Sequence, residues 1–264
     1  TVGATDTLDA DIRLTLAALT DAVVVSASYV ELRQSESTTG VTALSRRDVE
    51  DRQFTMVADA LRLAPGMSVA PSGGLGSVTS VFPRGGESDY TLVMVDGVKL
   101  NSFGGGFDFG HLSTFGFSQI EAVRGPQSAV FGSDAIGGVV QLRSRVGGRP
   151  SGYGLLEAGS YGTGRLAAGS SGSKGAVDWG ASFERASSDG WTDAAPDPSL
   201  GAVTNDDYEA SMVSLAAARR MSAPISRSMT TFCLTRRSQS QMPMMHSVVR
   251  PERKMTSMER ATRG

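Results

Sequence analysis

The rhythm of hydrophobic and polar positions changes several times along the chain. Ile12-Arg13-Leu14-Thr15-Leu16 alternates as a half-buried strand does, and Asp21-Ala22-Val23-Val24-Val25-Ser26-Ala27 is an extended β-branched run between polar flanks. Glu31 to Gly40 is polar, so residues 21–40 read as a mobile segment carrying one adhesive strand. From Val41 the pattern becomes regular. Ser45-Arg46-Arg47-Asp48 has the spacing of a capping box, and Phe54, Val57, Ala58 and Leu61 recur at i, i+3, i+4 and i+7 until Pro65-Gly66, which predicts a short helix or helix pair with one apolar face. Strand-like runs follow at Met67 to Ala70, Val78 to Phe82, Leu92 to Val95, Ile120 to Val123 and Val139 to Leu142. Leu92-Val93-Met94-Val95 is apolar throughout, as a strand buried on both faces is, and Asp96-Gly97 predicts a hairpin into Val98-Lys99-Leu100. These elements predict one compact α+β domain at about 41–146.

Beyond Gly147 the segments lengthen to about ten residues: Tyr153 to Ser160, Gly162 to Ser170, Ala176 to Ala186 and Asp207 to Ala218. They are rich in small residues, with Tyr153, Tyr161, Trp179, Phe183, Trp191 and Tyr208 interspersed. Weak alternation of this kind fits transmembrane β-strands and fits a soluble sandwich equally well.

Composition divides the chain. Residues 219–264 hold ten Lys/Arg against two acids, seven of the eleven Met and a single Gly, which leaves residues 1–218 at net −10 with 31 Gly. The near-neutral total of −2 argues against a nucleic-acid binder. The single cysteine, Cys233, excludes an internal disulfide and a multi-cysteine metal site, and only His111 and His246 carry imidazole, so neither a metal nor a cofactor is expected. No apolar run approaches the roughly 18 residues of a spanning helix. A signal peptide is not evident, and Thr1 in place of Met points to an N-terminus lying upstream.

Few motifs carry chemistry. Gly162-Thr163-Gly164-Arg165-Leu166-Ala167 resembles a dinucleotide fingerprint, but that fingerprint needs a helix after it, and Ala168-Gly169-Ser170-Ser171-Gly172-Ser173 does not continue one. Phosphate-loop and Gly-x-Ser-x-Gly patterns are absent, and no nucleophile, base and oxyanion donor assemble, so an enzyme is not expected. More informative are Arg84-Gly85-Gly86 and Arg124-Gly125-Pro126, each placing a cation at a strand end beside a glycine that permits close approach. Such arginines either dock against carboxylates or face solvent.

At these residues the chain resembles a family. Asp21 to Ala27 is similar to the energy-coupling box of TonB-dependent outer-membrane receptors. Leu92 to Asn101, Ile120 to Val140 and the helix Ala58 to Met67 are similar to that family's plug domain, and the likeness spans about 21–146 in order. The stretch around Asp134 and Ile136 looks nearest to the vitamin B12 receptor branch, with siderophore receptors sharing much of it. Phe117-Ser118-Gln119 and Pro83 depart from the usual pattern.

The resemblance implies an α+β plug, a small mixed sheet with short helices, followed by the first antiparallel strands of an incomplete transmembrane β-barrel. It implies a receptor in a Gram-negative outer membrane that imports a large, scarce nutrient such as a siderophore, cobalamin or a glycan. Asp21, Ala22, Val23, Val24 and Val25 would add a strand to the periplasmic domain of TonB. Arg84 and Arg124 would lock the plug against barrel acids. Ser72, Leu75, Asn101, Phe103 and Phe107, on apical loops at about 71–77 and 101–113, would contact substrate, although the phenylalanines fit equally well tucked back onto the plug. The remaining partners would be outer-membrane lipid and the missing portion of the barrel.

The expected organisation is a remnant of a carboxypeptidase-regulatory-like sandwich at 1–20, the coupling segment at 21–40, the plug at 41–146, barrel strands at 147–218 and an atypical basic tail at 219–264, read either as out of frame or as a regulatory extension. A barrel of about 22 strands needs roughly 220 residues before any loop. Only 118 follow Val146, so the expectation is a truncated receptor that does not transport by itself. The alternative is a soluble plug-like module that binds ligand or TonB without a pore.

Overall fold

The computed structural model describes residues 23–24, 32–33, 40–102, 105–190, 207–219, 228–237 and 247–248, with side chains for 40–102, 105–190 and 207–219. Residues 1–20 and Phe103 lie outside this set. Of the coupling segment, β1 (Val23–Val24) pairs antiparallel with β2 (Leu32–Arg33), Val23 opposite Arg33.

The α+β unit begins with β3 (Gly40–Ser45) and α1 (Arg46–Asp51). Ser45 and Asp48 close the expected capping box: Asp48 accepts from the Ser45 backbone N–H at 2.8 Å and from its hydroxyl at 2.6 Å, and the Asp48 N–H donates back to the Ser45 hydroxyl. These bonds, the hydroxyl's first, hold the Asp48 carboxyl below the ordinary carboxylate range. Of the apolar i, i+3, i+4 pattern, Val57, Ala58 and Leu61 fall on α2 (Val57–Leu61), and Phe54 lies in the link from α1. A hairpin of β4 (Met67–Pro71) and β5 (Thr79–Pro83) follows, then β6 (Thr91–Val95) and β7 (Val98–Lys99). Asp96 and Gly97 both take positive φ, 51° and 85°, the geometry of a two-residue turn that matches strand twist. β8 (Phe117–Arg124), α3 (Ser128–Phe131) and β9 (Gly138–Ser144) complete the unit.

Five strands form one sheet in the order β3-β8-β9-β6-β7, antiparallel except for β6 against β9, so the sheet is mixed. Each face buries its own core. Val93 and Val95 of β6 join Val57, Leu61, Val81, Phe109, Ile120 and Leu142 on one side, whereas Leu92 and Met94 join Val41, Val123, Ala135 and Val139 on the other. Two covered faces explain why β6 is apolar at every position.

After Ser144 the chain builds an antiparallel meander: β10 (Ser151–Ala158), β11 (Gly164–Lys174), β12 (Val177–Ser188), β13 (Tyr208–Arg219), β14 (Ser228–Arg237) and β15 (Ser247–Val248), each paired with the next. Gly164 opens a strand where the dinucleotide fingerprint requires a helix, so that backbone cannot cradle a pyrophosphate. The Ser/Gly run 169–173, loop-like in composition, continues β11 because β12 supplies ladder partners throughout it and β10 does so as far as Ser171. Regular strands were expected to end at 218, and backbone pairing continues at Ser228–Arg237.

The pleat sorts the side chains of β10–β13 into two faces. Towards the α+β unit lie Arg165, Ala167, Ser171, Ser182, Glu184, Tyr208 and Met212, all buried. Away from it lie Leu156, Leu166, Val177, Phe183 and Leu215, exposed by 81%, 53%, 46%, 40% and 49%. The outer face carries these large apolar side chains together with the exposed Arg185–Glu209 ion pair, over an inner face rich in serine that buries Arg165 and Glu184; large apolar groups outside and buried polar groups inside are inverted relative to a soluble sheet. The choice left open by the sequence falls to the transmembrane pattern.

Candidate functional site

Among the described residues, three lines of contact between the α+β unit and the meander carry polar or aromatic side chains. At the first, Tyr153 of β10 projects inward beside Phe115, with ring centroids 5.3 Å apart. The Arg145 guanidinium lies 3.8 Å from the Tyr153 ring centre and that of Arg46, the first residue of α1, lies 5.4 Å from it. Arg46 also donates to the Phe117 carbonyl at 3.2 Å and pairs with Glu50 at 2.5 Å, which fixes its direction. The phenol ring lies across Gly169 of the neighbouring strand, where any added Cβ would sit 2.5 Å from the ring.

Ser113 makes the second line. Its hydroxyl donates to Glu184 Oε2 at 2.5 Å and accepts from Arg165 Nη2 at 3.2 Å. Arg165 donates in turn to Glu184 at 2.6 Å and to Glu157 at 3.1 Å. At the third line, the rings of His111 and Tyr208 stack 5.8 Å apart and 3° from parallel, with Gly76 closing against the tyrosine. His111 lies 4.0 Å from Asp108, whose carboxylate receives the N–H groups of Thr79 and Gly110 and so ties the two loops together.

The expected site residues are dispersed over this frame. Arg124 donates to the Gly40 carbonyl at 3.1 Å and to the Pro65 carbonyl at 2.6 Å, so both bonds fall within its own domain. Arg84, exposed and at φ 51°, lies along Gly66 and Gly125. Ser72 closes the β4–β5 loop by donating to the Val78 carbonyl, and Leu75 stands 45% exposed at its tip. Asn101 serves the fold: its amide accepts from the Val93 N–H at 2.7 Å and donates to the Thr91 carbonyl at 2.9 Å, acting as one more rung beside β6. Phe107 is half-buried against the core, edge-on to Phe109 at 4.9 Å, which is the tucked-back alternative. Phe103 is outside the described residues, as are Asp21, Ala22 and Val25, while Val23 and Val24 form β1.

Sequence reasoning missed Arg46, Ser113, Tyr153, Glu157, Arg165 and Glu184. For Glu157, Arg165 and Glu184 the available signal was a charge beside an outward apolar residue, Leu156, Leu166 and Phe183 respectively; Arg46, Ser113 and Tyr153 carried none.

Residues 33–139 match the family model described as the TonB-dependent Receptor Plug Domain. Over this segment the chain has a plug domain of the TonB-dependent receptor type. Two relatives, the proteins named vitamin B12 transporter BtuB from Vibrio vulnificus strains YJ016 and CMCP6, are 42% identical over 125 residues and 39% over 122. These matches cover 47% and 46% of this chain, which spans about a fifth of the length of those relatives. Among solved structures, the plug and its following strands are similar to the pyoverdine outer membrane receptor FpvA from Pseudomonas aeruginosa PAO1, with TM-score 0.65, 16% identity, and coverage of 81% of this chain and 30% of that one. They are also similar to the siderophore receptor PiuA from Acinetobacter baumannii, with TM-score 0.62, 20% identity, and coverage of 82% and 28%. The fold is thus a plug followed by the opening strands of a barrel.

Proposed function

We propose that this chain supplies the plug and first wall strands of an outer-membrane receptor for the energy-coupled uptake of a large, scarce nutrient: cobalamin, a metal chelate such as a siderophore, or a glycan. The observation that carries this reading is a plug seated on strands that are polar towards it and apolar away from it. Similarity to the vitamin B12 transporters supports cobalamin as one candidate. Connection lengths support an orientation. β11 and β12 are joined by two residues, Gly175 and Ala176, whereas β12 and β13 are joined by 189–207, and receptors of this architecture keep short turns in the periplasm and long loops outside. His111 and Tyr208 then lie at the external end, which supports reading the loop that carries Ser72 and Leu75 as one that faces incoming substrate. Arg84, exposed beside Gly125, is the arginine left to meet barrel acids on further strands, whereas Arg124 is engaged by plug carbonyls.

In this reading the periplasmic domain of TonB pairs with Asp21 to Val25, and force applied there remodels the plug. Val24→Pro removes a ladder donor and fixes φ, so it abolishes capture of the full chain by immobilised TonB periplasmic domain. Capture equal to that of the unaltered chain would refute the coupling-box assignment.

A further inference from the structure

The Ser113 hydroxyl has one proton to give and two lone pairs to offer, and all three are engaged: the proton goes to Glu184, and the lone pairs receive Arg165 Nη2 and, at 3.0 Å, the Phe115 N–H. Ser113, Arg165 and Glu184 are exposed by only 4%, 9% and 5%. On the strand side of this cluster the desolvated Glu184 has to share its one guanidinium with Glu157, whose side chain is 39% exposed and reaches water. A desolvated carboxylate in that position needs a further donor, and the donor comes from the plug. Ser113 stands at the end of the 101–113 loop, two residues beyond His111, and bridges through its backbone to Met56 at the start of α2.

We propose that Ser113 is a positioning residue that seats the base of the apical loop on the barrel wall by completing the Glu157–Arg165–Glu184 network, so that plug movement and wall electrostatics are coupled through one hydroxyl. This rests on the reading of β10–β12 as wall and of 101–113 as apical loop.

The test is a double-substitution cycle on the full chain in detergent micelles, read by amide hydrogen exchange at residues 109–117 and 182–186. A lost hydrogen bond to a buried charge predicts exchange faster by about tenfold in both segments for Ser113→Ala and for Glu184→Gln, with the double variant within about threefold of the worse single. Ser113→Thr, which keeps the hydroxyl, stays within about threefold of the unaltered chain. Should Ser113→Ala not fold, Arg165→Lys carries the same test from the wall: it keeps the charge, loses the fork, and speeds exchange at 109–117 although the change lies on β11. Additive effects, or an effect of Ser113→Ala confined to 109–117, would reduce Ser113 to a turn-forming role through Phe115 and overturn the proposal. Free exchange throughout 151–188 in the unaltered chain would overturn it together with the wall reading, an outcome distinct from additivity on protected strands.

Discussion

Gly180 is the most sensitive position at which to test whether the plug linker packs on the wall. A Cβ built there falls on the backbone carbonyl oxygen of Arg145 and 3.4 Å from the Val146 side chain. The obstructing atom is backbone, so no rotamer change relieves the clash and the linker itself must move. Overpacking of this kind costs ~1–3 kcal/mol. Two hydrogen bonds would be lost or lengthened as the linker lifts: Arg145 N–H to the Gly116 carbonyl at 2.8 Å and Gly147 N–H to the Trp179 carbonyl at 3.2 Å. Gly152 on β10 is the matched control, since a Cβ there meets only the Gly169 carbonyl at 3.9 Å, an ordinary contact. Removing the excess backbone freedom of a strand glycine makes Gly152→Ala neutral or stabilising by ~0.5–1 kcal/mol. The assay is urea unfolding in detergent combined with amide exchange at Arg145 and Gly147. With m near ~2 kcal/mol/M, Gly180→Ala lowers the midpoint by roughly 0.5–1.5 M and accelerates both amides, whereas Gly152→Ala does neither. Equal tolerance at the two glycines would refute the packing of linker on wall.

Loss of the capping box in Ser45→Ala lowers plug stability by ~1 kcal/mol at neutral pH, measured by urea denaturation. The Asp48 carboxyl is held low in the folded state, chiefly by the Ser45 hydroxyl, so its contribution is fully present above the ordinary carboxylate range and is lost as pH falls through its depressed folded value; the gap between the two proteins therefore narrows in strong acid to what the Asp48 N–H to Ser45 hydroxyl bond contributes, and a gap unchanged between pH 7 and pH 2 would count against the linkage. Leu215, outward on β13, should behave as a lipid-facing residue: Leu215→Arg costs ~2–4 kcal/mol near the bilayer midplane and lowers co-flotation with phosphatidylcholine vesicles by at least about 30-fold. Undiminished flotation would show that this face does not meet lipid.

Features written within a few residues were legible directly. The capping box at Ser45 and Asp48, the Asp96-Gly97 turn and the doubly buried Leu92 to Val95 all rest on neighbouring residues, and the fold places them as the pattern predicts. The plug domain was legible for the same reason, because its runs from Leu92 to Asn101 and Ile120 to Val140 carry their glycines and apolar positions at short, specific spacings. Serine-rich segments such as 169–173 were not, since small polar residues look alike in a loop and on the inner face of a wall until the ladder assigns the pleat.

By itself, then, the sequence determined the kinds of element, their caps and turns, and the family of the plug. Only the tertiary structure decided which groups meet. Arg124 is satisfied by carbonyls 59 and 84 positions away, and Ser113 by carboxylate and guanidinium groups 71 and 52 positions away. A buried hydrogen bond depends on a few tenths of an ångström and on exclusion of water, and both are properties of packed surfaces that no local spacing encodes.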